Sequence, residues 1–393
     1  MAGLYIHIPF CRSKCAYCDF FSLPLDKYHT ANVTEEYCKA LLKEFELRER
    51  EVDEPFSTIY IGGGTPTAIP DTTLLGFISA LIHKVGSHNN ACGKASIDEF
   101  TIEANPEDIT SDKIEALKSA GINRISIGIQ SFDAQQLDTI NRLHDAKASI
   151  SALQTLYESG INYSADLIYG LPGQNVESWK QQLEKLLEYR PPHFSAYLLS
   201  YEPGTKLYVR RELGKVSETD EETVNRMYEV LINAAGKRGY DHYEISNFAL
   251  PGMDARHNSS YWNLTPYVGL GCSAHSFDGN TRRVNPANLK SYISALSVDN
   301  ARVPAFIEDE TQVNKINDYI ITSLRTSAGL SRPLVESRWG ATSLRIIEKN
   351  MTQFKKNGQI ITTPFGNLTI AENHWLTADA ILREIILDPD DII

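Results

Sequence analysis

Three cysteines lie close together near the start of the sequence, at Cys11, Cys15 and Cys18. Cysteine thiolates are soft ligands that suit zinc or iron–sulfur clusters. A structural zinc ion takes four protein ligands, whereas a four-iron cluster held by three thiolates leaves one iron open to an outside ligand. The residues alone therefore leave two alternatives, an iron–sulfur cluster with an open iron or a zinc ion completed by a distant histidine or aspartate.

A run of glycines provides a second candidate site. Gly62, Gly63 and Gly64 precede Thr65 and Pro66. Glycines let the backbone approach a ligand closely, but a phosphate-binding loop would continue with Gly-Lys-Ser/Thr. The run is either a ligand-binding loop or a tight turn.

Polar residues recur further along the chain, each at or near the end of a short apolar run. They are Glu103, Gln130 with Arg142 beyond it, and Asp166. In a β/α barrel the carboxyl ends of the strands form the active face. Together with the cysteines and glycines, these residues predict one site at that face.

The elements that must position these residues are six β-branched or aromatic runs, each followed by a helical pattern. The predicted strands are residues 4–8, 58–61, 99–103, 124–129, 163–168 and 194–199. The predicted helices are 35–50, 72–85, 111–120, 146–159, 176–189 and a helix ending near 239 that Thr219 and Glu222 would cap. This alternation predicts the α/β class, as a partial, TIM-like (β/α)6 barrel with parallel strands.

The periodicity weakens after the sixth helix. We therefore expect a barrel core at 1–240, an irregular connecting region at 241–305 and a small α+β C-terminal domain at 306–393. In the last part we predict a helix from 310, a helix at 343–356, a hairpin at 358–371 and a final helix from 377, in a winged-helix-like arrangement.

The charge balance excludes some partners. Lysine and arginine number 38 and aspartate and glutamate 50, so the net charge is −12. This negative charge disfavours nucleic acids and anionic lipid surfaces as partners.

No apolar run approaches the ~20 residues that span a bilayer. The N-terminus does not look like a secretory signal, and the six cysteines do not form a disulfide framework. We expect a cytoplasmic protein without stable membrane insertion.

The cysteine and glycine motifs together resemble the radical S-adenosylmethionine (SAM) superfamily, which is marked by CxxxCxxC after the first strand and GGGTP after the second. The resemblance implies that Cys11, Cys15 and Cys18 hold a 4Fe–4S cluster, and that SAM chelates the open iron and is split to a deoxyadenosyl radical. By motif position, the implied SAM contacts are Tyr5, Tyr17, Gly63, Gly64, Thr65, Glu103, Gln130, Arg142 and Asp166.

Residues 5–11, 127–132 and 166–172 are similar to one branch of that superfamily, the oxygen-independent coproporphyrinogen III dehydrogenases (HemN) and their relatives. Two features depart from the dehydrogenase pattern: Phe20 stands where its fourth cysteine would be, and few residues precede Cys11. Both features match the HemW-type heme chaperones. The resemblance then implies that the protein passes heme to acceptors such as respiratory-chain proteins. The dehydrogenase is the alternative, and a radical SAM enzyme acting on RNA is disfavoured by the charge.

A HNxxYW motif, which also fits the HemW branch, marks the implied heme contacts. These are His257, Asn258, Tyr261 and Trp262, with Arg256 as a partner for a propionate. Imidazole ligates heme iron and aromatic rings pack on the porphyrin face. The alternative for this motif is an ordered segment that packs on the barrel. His275 and Cys272 compete with His257 as axial ligand, and both the heme acceptor and the oligomeric state, such as a homodimer, stay open.

Overall fold

Strands and helices alternate through most of the chain in this computed structural model, which describes residues 1–28, 32–93 and 96–388. The strands are β1 Ala2–Ile8, β2 Phe10–Cys11, β3 Leu23–Pro24, β4 Phe56–Gly63, β5 Glu99–Ala104, β6 Arg124–Gln130, β7 Asn162–Tyr169, β8 His193–Leu198, β9 Asp241–Glu244, β10 Asn247–Ala249, β11 Tyr267–Leu270, β12 His275–Phe277, β13 Thr281–Val284, β14 Phe306–Asp309, β15 Ile360–Thr362 and β16 Leu368–Ile370.

The helices lie between and beyond these strands. They are α1 Val33–Arg48, α2 Asp71–Ala91, α3 Ser111–Ser119, α4 Ala134–Thr139, α5 Ala146–Ser159, α6 Val176–Glu188, α7 Lys206–Glu212, α8 Glu221–Lys237, α9 Arg256–Trp262, α10 Leu289–Leu296, α11 Gln312–Leu324, α12 Arg332–Asn350, α13 Thr352–Lys356 and α14 Ala378–Ile385. Within the described ranges, no helix combines the length and apolar content that a bilayer crossing requires.

One large sheet organises the molecule. Its strand order is β14-β13-β12-β11-β1-β4-β5-β6-β7-β8-β10-β9. Six strands pair in parallel in chain order: β1, β4, β5, β6, β7 and β8. Strand β11 pairs in parallel with the other side of β1. The outer strands β12 to β14 and β9 to β10 pair antiparallel. The predicted partial β/α barrel is confirmed, and the segment after residue 240 extends its sheet at both ends.

The alternation of side chains along β1 explains how the sheet serves two purposes. Leu4, Ile6 and Ile8 are fully buried on one face in the hydrophobic core. Tyr5 and His7 project from the other face into a cavity. Because successive side chains of a strand point to opposite faces, the core residues fix the direction of the polar ones.

Two helix starts differ from the predicted ones. Asp220, and not Thr219, caps α8, because its carboxylate accepts a hydrogen bond from the backbone N–H of Thr223. The hydroxyl of Thr219 instead donates to the carbonyl oxygen of Gly170 at 3.1 Å. The helix predicted from 343 is preceded by a helical segment that begins at Arg332, and the two are separated by a kink at Gly340, whose φ of 86° is not helical.

A buried ion pair ties α1 to the end of the sheet formed by β11 and β12. Arg48 Nη1 donates to Glu44 Oε1 at 2.6 Å and to the carbonyl oxygen of Gly269 at 2.7 Å, and Arg48 Nη2 donates to Ser276 Oγ at 2.8 Å. Glu44 also accepts from the backbone N–H of Gly271 at 2.8 Å and from Asn285. Both charged side chains are almost completely buried. Apart from the hydrogen bonds of Arg48 to Glu51, the contacts of the pair beyond α1 hold β11, β12 and the segment that follows.

Removing one partner of this pair should be strongly destabilising. Glu44→Ala leaves the Arg48 charge buried beside only the partly exposed Glu51, so we expect the free energy of unfolding to fall by about 3–5 kcal/mol. Denaturant unfolding of the full chain measures this. Glu46→Ala is the matched control on the same helix, because its ion pairs with Lys43 and Lys84 are solvent-exposed and worth at most about 1 kcal/mol. Equal losses in the two variants would contradict the structural role of Glu44.

Candidate functional site

The loop that carries the three cysteines is held by elements on the far side of the barrel mouth. The backbone N–H of Ala16 donates to the carbonyl oxygen of Ile140 at 2.8 Å, and that of Leu207 donates to the carbonyl oxygen of Ala16 at 2.8 Å. Asn141 Nδ2 donates to the carbonyl oxygen of Lys14 at 2.8 Å. Ala16 is fully buried, so the middle of the loop is anchored by both backbone and packing.

The thiols themselves are half-buried and have polar neighbours. Thr65 Oγ1 lies 3.6 Å from Cys11 Sγ, and Arg142 Nη1 lies 3.4 Å from Cys15 Sγ. Burial raises the pKa of Cys11 and raises that of Cys18 to about 11. A metal centre supplies the positive charge that such thiols need to lose their protons, and an iron–sulfur cluster is held by cysteine thiolates. The three thiols therefore fit such a group.

Within the described ranges, no three His, Cys, Asp or Glu side chains converge closely enough to bind a single metal ion. An iron–sulfur cluster would bind each thiolate through a different iron, so its three thiols need not converge on one point.

The glycine run packs against the exit of β1. Gly64 N–H donates to the carbonyl oxygen of Ile8 at 2.8 Å, and Thr65 N–H donates to that of Phe10 at 2.7 Å. A Cβ atom on Gly64 would lie 2.7 Å from the oxygen of Phe10, and Gly63 has φ 104°. Gly64 is thus required by the close contact between two loops of the chain itself, and Gly63 by its left-handed backbone, reasons that the sequence did not reveal.

Glu103, at the end of β5, occupies a desolvated position beside that loop. Its carboxylate accepts from the Tyr60 hydroxyl at 2.8 Å and from the backbone N–H of Gly63 at 2.9 Å. Burial, with a smaller contribution from the nearby Asp166, raises the pKa of Glu103 to about 7. A carboxylate in this setting favours a cationic partner such as an ammonium group.

The remaining predicted SAM contacts surround the same space. Arg142 Nη2 donates to Asn105 Oδ1 and to the carbonyl oxygen of Gly128, both at 2.6 Å. Gln130 has φ 64°, at a register shift between β6 and β7. On β7, burial raises the pKa of Asp166, whose Oδ1 has no hydrogen-bond partner within the described residues. A buried acceptor of this kind fits a ligand hydroxyl.

Tyr5 and Tyr17 lie at two sides of this space. The Tyr5 hydroxyl lies 3.0 Å from His7 Nδ1, and its ring stacks on Tyr60. Tyr17 packs against the small apolar cluster that contains Ala16. Burial raises the pKa of both phenols, so both are neutral near pH 7 and act as hydrogen-bond donors. The predicted SAM contacts thus lie on β1, β4, β5, β6 and β7 or in the loops that carry the cysteines, the glycines and Arg142.

A cavity of about 800 Å³ opens from this space toward the end of the chain. Its lining includes Tyr5, Gly63 and Glu103 on one side and residues from both ends of the sheet on the other. From the two ends come Glu244 and Asn247, and Tyr267, His275, Phe277 and Arg282. Because strands at opposite ends of the sheet line one cavity, the sheet curves around it.

The HNxxYW motif forms the short helix α9, which closes one wall of the cavity. The carboxylate of Glu99 accepts hydrogen bonds from the backbone N–H groups of Arg256 at 2.9 Å and His257 at 3.0 Å. These donors have no partner within the helix, and a negative charge at this end is favourable. Glu99 is buried at the start of β5, so it fixes α9 to the barrel.

The ring of His257 is sealed inside this wall. Its Nδ1 lies 2.8 Å from Thr58 Oγ1 and its Nε2 lies 2.8 Å from the Tyr261 hydroxyl. The ring stacks on Tyr60, and its exposed fraction is 0%. Burial lowers its pKa to about 3, so the ring is neutral. With both nitrogens hydrogen-bonded, this geometry does not favour His257 as an iron ligand and matches the alternative in which the motif packs on the barrel.

The other predicted heme contacts differ in their access to the cavity. Asn258, Tyr261 and Trp262 line it and are partly exposed, whereas Arg256 does not line it. Cys272 has an exposed fraction of 0%, and burial raises its pKa to about 12. His275 lines the cavity and is exposed.

Sequence reasoning missed Tyr60, Glu99 and Arg282, which connect or line these sites. A signal existed for Tyr60: Thr58 and Tyr60 alternate with the buried Ile59 and Ile61, which places them on the interior face of β4. The roles of Glu99 and Arg282 depend on contacts with residues far away in sequence, so no local pattern marks them.

Comparison with known proteins places these motifs in a family. A model described as the Radical SAM superfamily matches residues 5–196. The heme chaperone HemW of Bacillus subtilis is 34% identical over 86% of this chain and 87% of its own length. The heme chaperone HemW of Lactococcus lactis is 31% identical over 98% of this chain and 97% of its own.

Among solved structures, the coproporphyrinogen III oxidase HemN from Escherichia coli superposes with a TM-score of 0.81 over 98% of this chain and 90% of its own. Its sequence is 22% identical, so this likeness shows the fold.

The cavity wall contains a carboxyl group whose titration should be visible in folding stability. Glu244, with an exposed fraction of 1%, has an unpartnered Oε1, and burial raises its pKa from 4.5 to about 7. Because the folded pKa is the higher one, its contribution to stability is complete below pH 4.5 and is lost as the pH rises through 7. In the wild type, this titration should lower the free energy of unfolding by roughly 3 kcal/mol as the pH rises. We expect Glu244→Gln to abolish that decrease.

The measurement is the free energy of unfolding at pH 5 and pH 8, taken as the difference between wild type and variant. Glu229→Gln, at an exposed position of α8, is the control and should keep the wild-type pH slope. An identical slope in Glu244→Gln would show that Glu244 titrates normally.

Proposed function

This chain belongs to the HemW family of the radical SAM superfamily, and on that premise we propose that it is a heme chaperone that binds a 4Fe–4S cluster, SAM and one heme. The observation that carries the proposal is the cavity of about 800 Å³, which is continuous with the predicted SAM site. Cavities of this size accommodate cofactors, and nine of its 25 lining residues are Tyr, Phe or Trp, whose rings suit a flat macrocycle.

Cys11, Cys15 and Cys18 would hold the cluster, on a loop whose shape the chain itself fixes. A cluster is favoured over the alternative of a zinc ion, because the radical SAM family carries a cluster on this cysteine motif. The cluster, when bound and reduced, would supply the electron for cleavage of SAM.

The protein's own groups would orient SAM. Glu103 would accept a hydrogen bond from the ammonium group and Asp166 one from a ribose hydroxyl, because each is a carboxylate at the site and Oδ1 of Asp166 has no partner within the described residues. Arg142 stands between Cys15 and the ends of β5 and β6, where it can orient the carboxylate of SAM. Tyr5, Tyr17, Gly63, Gly64, Thr65 and Gln130 shape the remaining wall.

The heme would occupy the wider part of the cavity. Asn258, Tyr261 and Trp262 contribute side chains to its wall, and Tyr261 and Trp262 can pack on the porphyrin. We assign His257 a positioning role, because its hydrogen bonds to Thr58 and Tyr261 hold α9 against β4.

Transfer requires that heme leave again, and the cavity suits this. Several of its lining residues, Phe20 and His275 among them, are exposed, so an acceptor protein can reach the cargo. We propose that the acceptors are heme proteins such as those of the respiratory chain. All six cysteines are free thiols, in accord with the reducing cytoplasm as the place of action.

A direct experiment separates the chaperone from the dehydrogenase. Protein with an anaerobically reconstituted cluster is given SAM and a reductant, and is supplied either with heme or with coproporphyrinogen III. We expect binding of one heme and transfer to an apo-hemoprotein, with no sustained oxidation of coproporphyrinogen. Phe20, in place of the fourth cysteine, motivates this expectation. Continuous formation of protoporphyrinogen would overturn the proposal in favour of the dehydrogenase.

A cysteine substitution tests the cluster assignment. Cys15→Ser should abolish the visible absorbance of the reconstituted cluster, because one of the three thiolates is lost. The circular dichroism should be unchanged, since the core packs without the thiol. Cys92→Ser is the control, because Cys92 follows α2 and its thiol contacts His88 outside the site. Retention of stoichiometric iron and sulfide in Cys15→Ser would refute the assignment.

A further inference from the structure

Three histidines line the cavity, and one of them presents a free imidazole. His7 is buried, with Nδ1 3.0 Å from the Tyr5 hydroxyl and Nε2 2.8 Å from the carbonyl oxygen of Phe21. His257 has both nitrogens engaged, as described above. His275 is exposed, and no hydrogen bond or ring contact of its side chain exists within the described part of the chain.

The strand that carries His275 holds its ring toward the cavity. His275 and Phe277 both line the cavity, as expected for residues two apart on a strand. Ser276 points the other way, where its Oγ accepts from Arg48 Nη2 at 2.8 Å and from the backbone N–H of Gly269 at 2.9 Å. The buried ion pair of Arg48 and Glu44 therefore fixes the orientation of β12.

The other possible iron ligands near the cavity are less suitable. Cys272 is completely buried and does not line the cavity, so its thiol has no access to a ligand there. Among the cavity tyrosines, the hydroxyl of Tyr60 is hydrogen-bonded to Glu103 and that of Tyr261 to His257.

We propose that the imidazole of His275 is the protein's axial ligand to the iron of the heme carried in this cavity. The inference rests on the proposed chaperone function and names the group that holds the cargo. Neutral imidazole donates a nitrogen lone pair to the iron, which is the usual protein ligation of heme. No bond of the porphyrin and no oxidation state changes in this step.

The position of His275 relates the heme to the SAM site. His275 is close enough to His7 for the two rings to interact electrostatically, and the His7 ring fills the space that a Cβ on Gly63 would occupy. Heme ligated by His275 therefore lies beside the glycine loop. With His275 as its single protein ligand, the iron would keep a position for a ligand of the acceptor.

The test is a titration of the cluster-loaded full chain with ferric heme, followed by visible absorption and electron paramagnetic resonance. His275→Ala should weaken binding by at least about tenfold, which corresponds to about 1.4 kcal/mol, and should remove the spectrum of nitrogen ligation. Added imidazole should restore that spectrum. His83→Ala is the matched control, because His83 is exposed on α2 and does not line the cavity.

The outcomes are distinguishable. If wild-type protein binds no heme, the proposed function fails and the ligand assignment fails with it. If wild type binds heme and His275→Ala keeps the same affinity and spectrum, the ligand assignment alone fails. His275→Met guards against loss of structure: it should bind heme with a thioether-ligated spectrum, and a wild-type spectrum in this variant would also refute His275.

Discussion

The parallel pairing of β1 with β4 is the constraint on which the other features of the site depend. Its register places Tyr5 opposite Tyr60 and Ile8 opposite Gly63, so the two strands end together. The cysteine loop after β1 and the glycine loop after β4 then meet, with Gly64 and Thr65 donating to carbonyl oxygens of Ile8 and Phe10. Glu103 joins them because it accepts from the backbone of Gly63. A shift of one residue would separate the thiols from the groups that surround them.

One aromatic ring connects the two halves of the cavity. Tyr60 donates to Glu103 through its hydroxyl, stacks on Tyr5 at one side and stacks on His257 at another. The group that would receive the SAM ammonium and the helix that walls the heme cavity thus share a neighbour. Buried rings and their hydrogen bonds pack densely. A displacement of Glu103 would therefore move Tyr60 and, through it, His257 on α9.

The sequence predicts the barrel well because its strands and helices are long and strongly periodic, and because parallel strands bring their carboxyl ends to one edge. It predicts Glu103, Gln130 and Asp166 at the site for the same reason. The cavity is harder to foresee, since its walls include β9 to β13, which are only three or four residues long and pair at opposite ends of the sheet. The surroundings of His257 depend on Thr58, Glu99 and Tyr261 at once. The helix start at Asp220 in place of Thr219 turns on which of two adjacent side chains reaches the backbone.

The steric origin of the glycine run has an evolutionary consequence. A methyl group at position 64 would collide with the carbonyl oxygens of Phe10 and Ile8 at 2.7 and 2.8 Å, whether or not any small molecule is nearby. Selection therefore acts on this glycine through the path of the polypeptide. A descendant without radical chemistry would still need Gly64 to fold. Conservation of this glycine therefore indicates the inherited fold, whereas conservation of the three cysteines indicates that the chemistry is retained.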